Sequence, residues 1–515
     1  MKQLEFSKNT LQGTFWGIIN KFVAVIMPFI VRTILIRRLG AEYAGLNSLF
    51  TSILQVLSLA ELGFASAMVY EMYKPIAEND LQSLSVLLKF YRTIYRIIGC
   101  IVILIGMCVC PFLHYLINGD TPDNINLYIL YFIYLTNTAI SYFAFAYRAS
   151  IMSAYQREAD NAKIQLITNS VMYAVQIFSL VLFRNYYVYI IFLPVFTLIY
   201  NFLRYIYVLK KYPHIKCEGN ITNAAKLNIK KNISALFLHK VGNVTVNTLD
   251  NIVISSFMGL IILSNYNNYY YVISAVTSIL LIFFHSITAG VGNRLIVTDT
   301  KKNIEDFFFI FYLNGFFVCL CTSCLFCCFQ DFIKLWVGKE YLFPDFTMIL
   351  FCIYFFVHTI RRTIISYRDA AGMWIDNKWQ PIVSAIFNLS LNILLIQIIG
   401  INGVAISTIL SMIIIDIPWE TGKLIHNLFH ITTTKYYLKL VLYVFITLVS
   451  CIASGFICSI IRIDFVLLRF LVCGIVGFFS CLILFFLFTH KTKEYCFFRN
   501  YIGKTLFKKL IHTQN

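Results

Sequence analysis

Lys21, Arg32 and Lys240 each stand inside an apolar run long enough to cross a bilayer. An ionised side chain at the membrane centre costs at least about 2.5–3.5 kcal/mol, so it is expected to face a cavity or a partner rather than lipid. Lys21 and Arg32 are eleven residues apart, about 1,100° of helical turn, which puts them on one face to within about 20° and roughly 16 Å apart. Lys240, Asn243, Asn247 and Asn251 share a face by the same arithmetic, with Asp250 beside them. Further polar stripes are Ser48, Ser52, Gln55 and Ser58, with Glu61 nearby; Asn137, Ser141 and Arg148; and Gln165, Asn169 and Gln176. Several helices with one polar stripe each are expected to line a water-filled lumen. Two other readings stand beside this one. Ser, Asn and Gln also bond neighbouring helices to one another, and Arg37, Arg38 and Arg148 lie near run ends, where long cations reach headgroups. Glu61 and Asp416 are readable as buried pairs or as run ends.

Other chemistry finds less support. Five of the fifteen cysteines lie in "CLCTSCLFCC" (Cys319, Cys321, Cys324, Cys327, Cys328), but no His or carboxylate accompanies them and the run is apolar. Buried cysteine behaves as a small hydrophobe, and that is the expectation here. No zinc-ligand spacing, Walker loop or dinucleotide fingerprint appears. No cofactor, metal or catalytic residue is therefore expected, and ATP hydrolysis by the chain is not.

The elements that must position these residues follow from composition. Of 515 residues, 59% are hydrophobic and only 13% charged, about half the charge of a soluble domain. The reading is an all-α polytopic membrane protein. Runs of about 20 apolar residues fall near 13–36, 44–70, 93–116, 127–149, 165–184, 186–209, 233–258, 264–290, 307–329, 345–366, 381–399, 402–420, 437–461 and 466–489. The polar start "MKQLEFSKNT" and the length of the first run argue against a cleaved signal peptide. Of 42 lysines and arginines, 32 fall in the N-terminus, the even-numbered loops with their adjoining span ends, and the C-terminal tail; 7 fall on the other side. That asymmetry places both termini in the cytoplasm. It also accounts for the net charge of +18 as an orientation signal, so no nucleic-acid partner is expected. Connecting loops of at most about 25 residues leave no extramembrane domain for an active site, which favours a transporter or channel over a glycosyltransferase, polymerase or ligase.

A shift of 219 residues superposes Lys21 on Lys240, Val25 on Val244 and Gly40 on Gly259, and lays "YAGLNSLFTSILQV" over "ILSNYNNYYYVISA". The first span then matches the seventh, giving two parallel halves of six spans, a recurrent transporter plan.

"LIRRLGAEYAGLNSLFTSILQVLSLAELGFASAMVYEMYKPIAENDLQSLSVLLKFYRTIYR" resembles the N-terminal signature of bacterial Wzx-type oligosaccharide flippases, relatives of multidrug (MATE) exporters and the lipid II flippase. "YRASIMSAYQREADNAKIQLITNSV", "NTLDNIVISSFMGLIILSNYNNYYYVI" and "RDAAGMWIDNKWQPIVSAIFNLSLNILLIQIIGINGVAISTILS" resemble successive later regions. The resemblance implies a lobe over 1–209, a cytoplasmic connection over 210–232, a second lobe over 233–420, added helices over 421–489 and a basic tail over 490–515. It implies a central cavity opening alternately to each side of the bacterial inner membrane. The implied substrate is a polyprenyl-diphosphate-linked oligosaccharide such as an O-antigen or capsule unit, with membrane lipid and other polysaccharide assembly proteins as partners. Lys21, Arg32, Lys240 and Arg148 would then line the substrate path, and Asn47, Gln55, Asn243, Asn247 and Asn251 the polar lumen. Glu61 and Asp250 would either exchange a proton or sodium ion or serve as fixed counter-charges. Arg37 and Arg38 either attract the emerging diphosphate or anchor at headgroups. An exporter of small amphiphiles is the alternative, and it fits buried cations less well.

Overall fold

A computed structural model describes residues 3–58, 64–119, 121–122, 124–221, 248–373, 377–461 and 463–500. Among these residues the chain is helical, without a strand. The helices are α1 (Gln3–Arg38), α2 (Ala41–Leu57), α3 (Phe64–Ala77), α4 (Leu81–Val109), α5 (Leu127–Phe143), α6 (Ala149–Ala154), α7 (Glu158–Leu182) and α8 (Tyr186–Lys211). Then come α9 (248–258), α10 (Leu260–Val297), α11 (Thr300–Trp336), α12 (Asp345–Ile360), α13 (Arg362–Ala370), α14 (Gln380–Ile399), α15 (Ile401–Ser411), α16 (Ile417–Leu424), α17 (Thr434–Ile460) and α18 (Val466–Thr489).

Among the described residues, ten helical segments are long and apolar enough to cross a membrane, and α5 with α6, bent by 47°, makes eleven. Eleven of the fourteen expected runs coincide with these. The second run is split between α2 and α3, the eighth is the 38-residue α10, and the seventh is described only over 248–258. Helices outrun the apolar stretches that announced them. α4 starts at Leu81 rather than near 93, because Asp80 caps it by accepting from the Ser83 amide at 2.9 Å. Gln82, Lys89, Arg92 and Arg96 then continue a helix as readily as Leu does. Hydropathy marks the hydrocarbon-facing part of a helix and not its ends.

The chain forms two compact units, residues 1–267 with 389–401, and residues 268–388 with 402–515. Packing groups residues 248–267 with the first unit because Asn251 donates to Ser52 at 2.8 Å and Asn118 N–H donates to the Ser255 carbonyl at 2.9 Å. Gly40 (φ +118°) precedes α2, and Gly259 (φ +84°) precedes α10. The two glycines paired by the 219-residue shift thus make the same kind of helix junction, at a φ that a side chain would strain.

In the second unit, the cysteine-rich helix α11 packs against α17 and α18 along a seam of small residues. Ser323 Oγ donates to the Gly477 carbonyl at 3.1 Å, and the Cys324 and Cys328 thiols point at the carbonyls of Gly474 and Phe470 at 3.9 and 3.5 Å. A Cβ on Gly477 would stand 3.1 Å from the Ser323 carbonyl oxygen and 3.3 Å from Cys324 Cα. Small residues here let backbones approach, and thiols give weak donors to carbonyls, which is how helices associate where lipid tails remove the hydrophobic drive. Leu438, Leu448, Ile452 and Phe456 of α17 and Leu471, Ile475, Phe479 and Ile483 of α18 face outward, exposed. Replacing Gly477 by Leu forces the seam apart and is expected to cost about 1–3 kcal/mol. It should appear as a lower unfolding temperature of the purified protein, whereas Cys321→Ala should leave that temperature nearly unchanged.

Candidate functional site

In the first unit the polar residues singled out by spacing converge on a hydrogen-bonded core. Arg32, on α1 and 4% exposed, donates from Nη2 to the Ser264 carbonyl at 2.9 Å and its hydroxyl at 3.3 Å, on α10. Asn251 of α9 donates to Ser52 of α2 at 2.8 Å and accepts from Asn267 of α10 at 3.1 Å. Asp250, 2% exposed, accepts from Asn392 of α14 at 2.6 Å. Asn47 accepts from the Tyr134 hydroxyl of α5, which lies 3.1 Å from the Tyr186 hydroxyl of α8. A guanidinium, a carboxylate and four amides thus tie α1, α2, α5, α9, α10 and α14 together. Polar atoms shielded from water need such partners, since a buried donor left empty costs about 1–3 kcal/mol.

The remaining sequence candidates have different settings. Lys21 is exposed on α1 while Arg32 is buried, so the shared helical face passes from an open to a closed environment along its length. Gln55 is exposed. Arg148 is 7% exposed in a 3₁₀ turn that follows Phe145 at φ +59°. Its guanidinium lies 4.9 Å from the Tyr205 ring centre, and its Nε and Nη1 make no hydrogen bond among the described residues. Arg37 and Arg38 end α1 and are exposed. Glu61, Lys240, Asn243 and Asn247 lie outside the described residues.

The second unit holds a charged cluster that the sequence reading did not assemble. Arg361 pairs with Asp416 at 2.7 Å and with both oxygens of Glu420, Nε at 3.2 Å and Nη2 at 3.1 Å. Arg368 reaches Glu420 Oε1 at 3.2 Å and Asp369 at 3.0 Å, and Gln380 donates to Asp416. Arg361, Arg368, Asp416 and Glu420 are 7%, 4%, 6% and 3% exposed, so the cluster is dry and each charge relies on the others. It joins α12 and α13 to α16, whose two ends carry π-helical turns at Met412–Asp416 and Ile425–Phe429. Such turns cluster at functional positions. A signal was present: Arg361 and Arg368 are seven apart, Asp416 and Glu420 four apart, spacings that share a helical face. Of the two sequence readings of Asp416, a buried pair or a run end, the structure shows the buried pair, with Arg361 at 2.7 Å.

Comparison with known proteins bears on this geometry. The family model described as polysaccharide biosynthesis protein matches residues 10–288. An uncharacterized membrane protein of Methanocaldococcus jannaschii is 23% identical over 502 residues, covering 92% of this chain and 94% of its own length. Among solved structures, the lipid II flippase MurJ in an inward closed conformation is similar with TM-score 0.59 at 17% identity, covering 95% of this chain and 99% of its own. An inward-facing multidrug resistance MATE family transporter of the MOP superfamily is similar with TM-score 0.58 at 9% identity, covering 78% and 95%. At these identities the likeness is one of fold.

Neutralising Glu420 leaves Arg361 with Asp416 alone and Arg368 with the part-exposed Asp369 alone. Glu420→Gln is expected to destabilise by about 3–5 kcal/mol, and Asp369→Asn, whose carboxylate is 39% exposed, by no more than about 1 kcal/mol. Thermal unfolding of the purified variants side by side checks the order.

Proposed function

Because the chain belongs to the polysaccharide biosynthesis protein family, whose model matches more than half of it, we propose that it is a flippase. Its substrate is a polyprenyl-diphosphate-linked oligosaccharide, moved from the cytoplasmic to the outer leaflet of a bacterial inner membrane by alternating access. The product feeds surface polysaccharide assembly of the O-antigen or capsule type, and both chain termini lie in the cytoplasm. A diphosphate cannot cross hydrocarbon bare, because an isolated ion in a low-dielectric medium costs many kcal/mol. Fixed cations along the path replace its hydration, and amides and hydroxyls suit sugar hydroxyls.

The observation that carries the reading is Arg32. It is a permanent charge kept at 4% exposure within the 24-residue span Phe15–Arg38, in a chain of this family. Its bonds to Ser264 hold it in the present state, and in the cycle they exchange for bonds to the diphosphate. Lys21, exposed on the same helix, meets the substrate outside that closed environment, and Lys240 and Arg148 extend the cationic path. Asp250, held by Asn392, is either a coupling-ion site or a fixed counter-charge, and Glu61 has the same two readings.

Proteoliposomes carrying a fluorescent polyprenyl-diphosphate oligosaccharide test this. Transport by the wild type is expected to slow at least about tenfold, or about 1.4 kcal/mol in the barrier, in Lys21→Ala and in Arg32→Gln of wild-type unfolding temperature. Failure of the wild type across several glycans and ion gradients would refute the flippase reading. Asp250→Asn separates its two roles: an ion site predicts loss of dependence on a proton or sodium gradient, a counter-charge predicts lower stability with that dependence retained.

A further inference from the structure

The first unit contains a cavity of about 660 Å³ framed by α3, α4, α5, α6 and α8, within the roughly 300–1,000 Å³ of small-ligand sites. None of the residues named above for the diphosphate path lines it. Its walls are Tyr73, Tyr91, Tyr95 and Tyr200, with Asn201 and Arg204 among them, and no carboxylate lines it. Aromatic rings present negative faces, which suit the weakly positive C–H face of a pyranose, and the polar tips suit its hydroxyls.

Two side chains at this cavity are built in and uncommitted. Asn201 is 4% exposed, borders the cavity and makes no hydrogen bond among the described residues. Arg204 stacks its guanidinium 4.4 Å over Tyr200 and commits only Nη2, to the Ala146 carbonyl at a long 3.4 Å. An amide at a cavity wall without a protein partner is open to a ligand or water. The Tyr91 and Tyr95 hydroxyls, 2.8 Å apart, add a fixed donor–acceptor pair. Two of the elements that frame the cavity, α3 and α8, carry Lys74 and Lys210 with Lys211 in their last turns, residues of the Lys- and Arg-rich side.

We propose that this cavity is a saccharide-binding subsite, distinct from the cationic path. It holds sugar residues of the lipid-linked substrate on the cytoplasmic side, with Asn201 and Arg204 bonding hydroxyls and Tyr73 and Tyr200 packing on ring faces. The inference rests on the flippase reading and adds to it a site that recognises the glycan rather than the diphosphate.

The test compares two fluorescent probes in proteoliposomes of the full-length protein. One is polyprenyl diphosphate bearing oligosaccharide extracted from the producing cells; the other is the same lipid diphosphate without sugar. Asn201→Leu and Tyr73→Ala are expected to slow the glycosylated probe about tenfold, consistent with one or two lost hydrogen bonds or a lost ring face. The bare probe should change less than about twofold, and Tyr73→Trp should restore the glycosylated rate. Tyr73 is 46% exposed, so its variants test the site without a core defect. Equal slowing of both probes, no slowing of either, or equal wild-type rates for the two probes would each overturn the subsite while leaving the flippase reading standing. A wild type that moves neither probe would instead refute the flippase reading, and the subsite with it.

Discussion

A bilayer core offers no water, so each polar group placed there must find its partner within the chain. This constraint organises both units. In the first, Arg32 is answered by Ser264 and Asp250 by Asn392. In the second, Arg361 and Arg368 are answered by Asp416 and Glu420. Charges retained at such cost are poor sources of stability, since apolar replacements are often as stable as a buried ion pair. They fit a protein whose helices must exchange one set of polar partners for another during work.

The same constraint governs how helices associate. With lipid tails as apolar as leucine, packing and short polar contacts must hold helices together. The α11–α18 seam achieves this with glycine, serine and cysteine. The thiols of "CLCTSCLFCC" are packing groups there, with weak bonds to carbonyls, and all fifteen cysteines are free. Meanwhile Leu438, Leu448, Ile452 and Phe456 of α17 and Leu471, Ile475, Phe479 and Ile483 of α18 face outward, the reverse of a soluble protein and the expected arrangement where the solvent is lipid.

For a glycolipid substrate, diphosphate and sugar present different problems. The diphosphate needs fixed cations, and the sugar needs hydroxyl partners with flat apolar faces. The first unit holds a buried arginine in a hydrogen-bonded core and, lined by different residues, a tyrosine-rich cavity with uncommitted amide and guanidinium donors.

The sequence by itself determined the membrane class, the helical runs, the side preference of lysine and arginine, and the cations set inside spans. These are local properties, readable from composition and a 3.6-residue period. It also marked Gly40 and Gly259 as equivalents, because a helix junction at positive φ selects glycine wherever it recurs. Only the tertiary structure decided which polar groups meet. Arg32 and Ser264 are 232 positions apart, and no spacing rule joins them. Arg361, at the α12–α13 junction, and Glu420 of α16 are 59 positions apart and meet only through packing. The cavity of α3, α4, α5, α6 and α8 takes its tyrosines from segments spread over more than a hundred residues. Partner choice depends on how helices approach, and that is set by packing of the whole unit rather than by any one segment.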